Sequence, residues 1–153
     1  MSNQKTNEFA SGTIKMAINA SDYDKTLAFY KNVIGMKEVG EFTVNSDFGK
    51  SSGLTDGKSF KVTQLKLEDT PVATELKITT FKGKSTHPKQ KYIHDDTGIQ
   101  YITIYVKSIE PVLKRIKENN IPLLGDCPVK AGESDFILIQ DPDGLFIELI
   151  SKP

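Results

Sequence analysis

The sequence predicts an α+β protein of two tandem βαβββ modules whose strands form a curved mixed sheet around a shared cavity. Residues 14–36 and 102–122 share one plan, an alternating apolar strand followed by an amphipathic helix and a second strand. Each half also closes on a strand that carries a Glu-Leu pair, at Glu75 and at Glu148. A repeated unit of this kind places equivalent side chains of both halves around one pocket.

The first module is predicted to span residues 13–82. Apolar and polar side chains alternate over 13–20, which is typical of a strand with one buried face. Ser21 or Asp22 can cap the helix that follows, and Gly35 can end it. The buried stripe of that helix is predicted to consist of Tyr23, Leu27, Tyr30 and Ile34. Three strands are predicted at 39–44, 60–67 and 75–81, with a Gly/Ser/Asp-rich loop at 45–58.

A basic, turn-rich connector over 83–98 precedes the second module, predicted at residues 99–153. Ile102, Ile104 and Val106 alternate with polar residues as in a strand, and Pro111 is tolerated in the first turn of the next helix. A strand is predicted to begin at 121–124. The last two strands, 136–140 and 145–150, flank an Asp-Pro-Asp-Gly turn.

Composition narrows the functional classes. The 153 residues carry 20 basic and 20 acidic side chains, so the formal net charge of zero gives no reason to expect nucleic acid or an anionic membrane surface as a partner. No apolar run approaches the roughly 20 residues of a membrane span. Residues 1–12 are polar and are predicted to form a flexible arm without a secretion signal, so we expect a cytoplasmic protein. The single Cys127 excludes an internal disulfide.

The strand faces turned away from the helices are the predicted functional surface. They would carry Lys15, Glu75, Tyr101 and Glu148, four positions at the first and last strands of the two modules. The side chains predicted to contact a small-molecule ligand on these faces are Asn19, Lys77, Thr103, Tyr105 and Phe146. A sheet face this polar is also compatible with simple solvation. Aromatic rings among the charges favour a pocket.

Two segments carry a family resemblance. Residues 22–36 resemble the first-helix signature of the vicinal oxygen chelate superfamily, which holds glyoxalase I, bleomycin-resistance proteins and extradiol dioxygenases. Residues 141–149 resemble its closing hairpin, including the Asp-Pro-Asp-Gly turn, and residues 98–106 resemble the opening of its second module. The resemblance covers about residues 13–151 and implies a glyoxalase-like fold. It also implies a homodimer, because such sheets often complete their cavities with a partner subunit.

The resemblance further implies where a metal would bind. Members that perform chemistry usually hold a divalent metal with one side chain from the first and last strand of each module, commonly histidines and glutamates. Here Glu75 and Glu148 match, whereas Lys15 and Tyr101 replace the histidines. A protonated lysine has no lone pair to donate, and tyrosine ligates only as phenolate. The prediction is a metal-free pocket with no cofactor, and any metal that did bind would use the two glutamates.

Two functions remain open from the sequence. The first is a metal-free protein that binds a small molecule, in the manner of the bleomycin-resistance branch. The alternative is a divergent enzyme of the superfamily, a lyase, isomerase or dioxygenase. In that case Glu148, repelled by Glu75, would be the general base, Tyr101 would donate a hydrogen bond to an oxyanion, and Lys15 would stabilise charge.

Overall fold

The computed structural model of the protein describes residues 8–83 and 85–152, and within them the strands form two four-stranded mixed sheets. The first sheet has the order β1-β4-β3-β2 and consists of β1 (Met16–Asn19), β2 (Lys37–Val44), β3 (Phe60–Lys66) and β4 (Glu75–Thr80). The second has the order β5-β8-β7-β6 and consists of β5 (Tyr101–Val106), β6 (Val129–Ala131), β7 (Ser134–Gln140) and β8 (Phe146–Ser151). In each sheet the first strand runs parallel to the last, and the other pairs are antiparallel.

Each module has the predicted helix after its first strand, and the helix of the first module has a π-helical continuation. Helix α1 (Tyr23–Ala28) continues as a π-helical segment, Phe29–Ile34. The Asp22 carboxylate caps its start by accepting a hydrogen bond from the Lys25 amide. Gly35 ends it in the left-handed region with φ of 91°, a conformation that costs glycine little. The second module contributes α3 (Glu110–Glu118), with Pro111 in its first turn.

Two local predictions are wrong. The segment 45–58, predicted as a loop, contains a short helix, α2 (Ser46–Ser51), because the Asn45 side chain caps it by accepting the Phe48 amide at 2.8 Å. The strand predicted to begin at 121–124 is absent from the described residues, and the edge strand of that sheet is β6 further along. Pro122 has no amide to donate to a ladder, which disfavours a strand there.

The two modules share one hydrophobic core that lies around the helices. Tyr30 is fully buried, and its hydroxyl donates a 2.8 Å hydrogen bond to Asp141 in the β7–β8 turn. Arg115 of α3 donates to the carbonyls of Val33 and Ile34 at 2.8 and 3.2 Å, where the first-module helix ends. The helix of the first module therefore packs across the module boundary as well as on its own sheet.

Burial shifts the pKa values of the Tyr30–Asp141 pair. Burial is the main reason that the pKa of Tyr30 lies well above its ordinary value, and the neighbouring Asp141 carboxylate raises it further. Burial also raises the pKa of Asp141, against the opposing effect of hydrogen bonds from Tyr30 and from the amides of Leu145 and Asp143. The pair is a polar link inside an apolar core.

The predicted fold class is confirmed, since the strands and helices form two βαβββ units. The predicted arm at 1–12 lies partly outside the described residues, which begin at residue 8, and 8–12 form no helix or strand. In the described part of the chain, no helix is long and apolar enough to cross a membrane.

Candidate functional site

Each sheet has one face packed on the core and one polar face. Met16 and Ile18 of β1 turn towards the core, whereas Ala17 and Asn19 of β1 and Lys15, just before the strand, are exposed. The ladder register continues these faces across the sheet, because Ala17 lies beside Lys77 and Asn19 beside Thr79. The alternation used to choose candidate residues from the sequence therefore holds in the structure.

Glu75 is the centre of the polar face of the first sheet. The residue is only 3% exposed, and both of its carboxylate oxygens accept hydrogen bonds. Lys15 donates to Oε2 at 3.1 Å, and Gln64 donates to Oε1 at 2.8 Å. We call these three residues the Glu75 cluster. The structure thus brings together two of the predicted positions, Lys15 and Glu75, as an ion pair.

The surroundings of Glu75 keep it ionised. Burial is the largest single influence and acts to raise the pKa of Glu75. The hydrogen bonds from Gln64 and Lys15, together with the charges of Lys15 and Lys77, outweigh it, so the pKa lies below its ordinary value. Glu75 is therefore a poor general base near neutral pH, because a carboxylate with a lowered pKa has little affinity for a proton.

The polar face of the second sheet carries the other candidates. Thr103 and Glu148 are direct neighbours in the ladder, and the Thr103 hydroxyl donates to the Glu148 carboxylate at 2.6 Å. Tyr101 and Tyr105 flank Thr103 on the same face and are 45% and 61% exposed. Phe146, the neighbour of Tyr101, is buried. This face is richer in aromatic and apolar groups than the face around Glu75.

Within one chain the two sets of candidates remain separate. Among the residues that the structure describes, no hydrogen bond or ion pair joins the Glu75 cluster to Tyr101 or Glu148. Among these residues the Lys15 ammonium group bonds Glu75. The convergence of the four positions stays a prediction.

The donors present do not fit a divalent metal. The Lys15 ammonium and the Gln64 amide nitrogen approach Glu75 as hydrogen-bond donors, and neither offers a lone pair. In the described part of the chain, no three residues of the His, Cys, Asp or Glu type lie together as a metal site requires. His94 is exposed and stacks on Tyr92, and it lies near Asp95.

A cavity of about 310 Å³ lies beside β1 where the two modules meet. Its apolar wall is formed by Met16, Ile18, Leu76, Ile102 and Leu145. Its polar side includes connector residues and one predicted ligand contact, namely Ser85, His87, Gln90 and Asn19. Asn19 donates to the Ser85 hydroxyl at 3.2 Å, so it ties the connector to the first sheet. Of the nine candidate positions, this cavity includes Asn19 only.

Two residues of the polar face were missed from the sequence. Gln64 satisfies one oxygen of Glu75, and Gly40 provides the space for it, since a Cβ at Gly40 would lie 2.9 Å from the Gln64 Oε1 atom. Alternation along β3 places Gln64 on the same face as Lys66, but only the register of β3 on β4 shows that both lie next to Glu75. Register is not readable from one strand alone.

Comparison with known proteins gives a family match over most of the chain. The model of the Glyoxalase/Bleomycin resistance protein/Dioxygenase superfamily matches residues 13–149. The sequence is also similar to a lactoylglutathione lyase of Haemophilus influenzae, with 25% identity over 136 residues, which are 88% of this chain and 88% of that protein.

Solved structures share the fold at low sequence identity. A glyoxalase family protein from Bacillus cereus has a TM-score of 0.76 and 15% identity, covering 96% of this chain and 97% of that chain. The trypanothione-dependent glyoxalase I of Leishmania major has a TM-score of 0.66 and 21% identity, covering 90% and 84% of the two chains. Glyoxalase I from Zea mays, at a TM-score of 0.68 and 20% identity, covers 92% of this chain but only 44% of its own.

Proposed function

Because the chain belongs to the glyoxalase/bleomycin resistance protein/dioxygenase superfamily, we propose that it binds a small organic molecule without a divalent metal. The binding cleft is lined by the polar faces of the two sheets. The observation that carries this proposal is the Glu75 cluster, in which Lys15 and Gln64 occupy both oxygens of the buried carboxylate. A lysine at this place supplies the positive charge that a metal would otherwise bring to Glu75.

The metal-free proposal is tested by metal analysis of the purified protein, followed by thermal unfolding with Ni, Zn, Mn and Fe. We expect no stoichiometric metal and no stabilisation. The double variant Lys15→His, Tyr101→His restores the ligand types that the family pattern implies, and we expect it to gain metal-dependent stabilisation if the four positions converge. Stoichiometric metal in the wild-type protein, lost on Glu148→Gln, would overturn the proposal.

A homodimer completes the cleft in this proposal. Tyr101 and Tyr105 expose much of their rings on one sheet face, and Phe42 is 42% exposed on the other. Exposed aromatic rings on a sheet face are typical of surfaces that bind a partner or ligand. The first-sheet face carries an excess of lysines and the second-sheet face carries Glu148, so the faces of two copies are complementary in charge.

The mass in solution tests the dimer. Light scattering coupled to gel filtration should give twice the 17.0 kDa chain mass. Tyr105→Arg should reduce it towards the monomer, because an added cation would have to be buried in the cleft. Tyr92→Arg is the matched control, since Tyr92 is 52% exposed but lies in the connector. A monomeric wild-type protein, or equal masses for both variants, would contradict the dimer.

One observation favours the enzymatic alternative. Among the described residues Glu148 has Thr103 as its hydrogen-bond partner, so its second oxygen is available to take a proton from a ligand. In that case Glu148 would be the general base and Tyr101 the hydrogen-bond donor to the developing oxyanion. Turnover of a bound compound that is lost in Glu148→Gln, with binding retained, would establish this alternative. Retained turnover in that variant would exclude Glu148 as the base.

A further inference from the structure

Lys77 occupies the middle of the polar face of the first sheet. It lies on β4, which is flanked by β1 and β3. Its ladder neighbours on this face are Ala17 on one side and Gln64 on the other, and Gln64 in turn lies beside Gly40. Ala17 and Gly40 are the small residues at the two ends of this row, and Lys77 and Gln64 are the long side chains between them.

The charges on this face do not balance. Lys15, Lys66 and Lys77 share it with a single carboxylate, Glu75. Lys15 pairs with Glu75, and Lys66 donates to the Thr70 carbonyl at 2.9 Å. None of the ion pairs formed among residues 8–83 and 85–152 includes Lys77. The face therefore keeps an excess of positive charge centred on this side chain.

An aromatic ring accompanies that charge. The Lys77 ammonium lies 5.8 Å from the centre of the Phe42 ring, within the range of a cation–π contact. Phe42 is on β2, in the row next to Lys77, and much of its ring remains exposed. A flat ligand can thus place a ring against Phe42 while an anionic group reaches the Lys77 ammonium.

We infer that the cleft takes a small aromatic carboxylate, with Lys77 as the residue that binds the carboxylate and Phe42 as an apolar contact for the ring. This inference rests on the proposed function and specifies the chemical class of its ligand. Lys15 contributes long-range attraction, but its ammonium already serves Glu75. Lys77 forms the direct contact because it makes no ion pair among the residues that the structure describes.

Benzoate and benzamide are the test compounds, since they have the same shape and differ in charge. Each is titrated into the full-length protein, and binding is followed by amide resonances of the first sheet in ¹H–¹⁵N NMR spectra. We expect benzoate to bind about tenfold more tightly than benzamide, which corresponds to about 1.4 kcal/mol. Residues around Lys77 and Ala17 should show the largest shifts, and the preference should weaken as salt is added.

Lys77→Gln should reduce the preference for benzoate to less than about threefold, whereas Lys77→Arg should retain it because the charge is kept. Lys61→Gln is the matched control. Lys61 lies on β3 of the same sheet and also sits over an aromatic ring, that of Tyr23 at 5.5 Å, but it is paired with Glu41 at 2.6 Å. The control should bind benzoate as the wild type does.

The possible failures are distinguishable. Equal affinity for the two compounds, or an equal loss of preference in Lys77→Gln and Lys61→Gln, would overturn the inference while leaving a cleft that binds small molecules. Absence of benzoate binding would also overturn it. The metal-free function fails separately, through stoichiometric metal in the purified protein.

Discussion

The hydrogen bond from Tyr30 to Asp141 gives a quantitative test of how the two modules are joined. Tyr30 has no exposed surface and Asp141 is 6% exposed, so neither group can exchange this bond for one with water. Hydrogen bonds to charged groups contribute about 1.5–3 kcal/mol. Asp141 keeps two backbone donors, the amides of Asp143 and Leu145, after Tyr30 is changed. We therefore expect Tyr30→Phe to lower the free energy of unfolding by about 2 kcal/mol at pH 7.

The pH dependence of that loss identifies its cause. Burial raises the folded-state pKa of Asp141 above the ordinary value of about 3.9. The free energy of unfolding therefore falls as pH rises from the unfolded-state pKa to the folded-state pKa of this carboxyl group. The Tyr30 hydroxyl favours the charged form, and its removal should raise this pKa further. The deficit of Tyr30→Phe should therefore shrink at acidic pH, where Asp141 is protonated in both folded proteins.

Urea denaturation of the wild type and the variant, at pH 7 and at the lowest pH where both remain folded, measures both quantities. Tyr23→Phe is the control, because the Tyr23 hydroxyl bonds the neutral Thr63 hydroxyl at 2.7 Å within one module. Its cost, about 1 kcal/mol, should not change with pH. A Tyr30→Phe deficit below about 0.5 kcal/mol, or one that is the same at both pH values, would refute the argument.

Three further variants test the Glu75 cluster and the contact between the helices of the two modules. Because the pKa of Glu75 is lowered in the folded state, the wild type should lose stability as pH falls below about 4.3. Glu75→Gln should remove this loss, and identical acid-unfolding curves for the two proteins would contradict the expectation. Arg115→Met leaves the carbonyls of Val33 and Ile34 without their donor and should lower the free energy of unfolding by about 1–2 kcal/mol in urea denaturation. Lys114→Met, at an exposed position of the same helix, should lower it by less than about 0.5 kcal/mol. Gly40→Ala should push Gln64 away and raise the pKa of Glu75 measured by NMR, and an unchanged pKa would argue against the contact.

The fold could be predicted because local signals agreed with one another. Alternation in β1 and β5 marked the strand before the helix in both halves, and the cap at Asp22 and the stop at Gly35 marked the ends of the first helix. The errors occurred where the secondary structure depends on tertiary context or on one cap that was missed. Asn45 starts α2 inside a segment whose composition is that of a loop.

For the candidate site, the sequence could predict only which face of a sheet each residue lies on. Alternation placed Glu75, Lys77 and Glu148 on polar faces, as the structure has them. It could not show that Gln64 completes the shell of Glu75, because that contact depends on the register between β3 and β4. The alternation pattern also could not predict how the polar faces of the two sheets are placed relative to each other, since that depends on how helices from both modules pack in the shared core.

Lys15 and Lys77 have different roles although both lie near Glu75, and the two variants should separate these roles. A carboxylate that is 3% exposed is costly unless it is paired, so Lys15 contributes mainly to stability. Its own side chain is 54% exposed, and solvent screening limits the expected cost of Lys15→Gln to about 1 kcal/mol of unfolding free energy. Lys77 makes no ion pair among the described residues, so Lys77→Gln should leave urea denaturation nearly unchanged while reducing benzoate affinity. A large loss of stability in Lys77→Gln, or unchanged stability in Lys15→Gln, would reverse these roles and place the ligand's anionic group at Lys15.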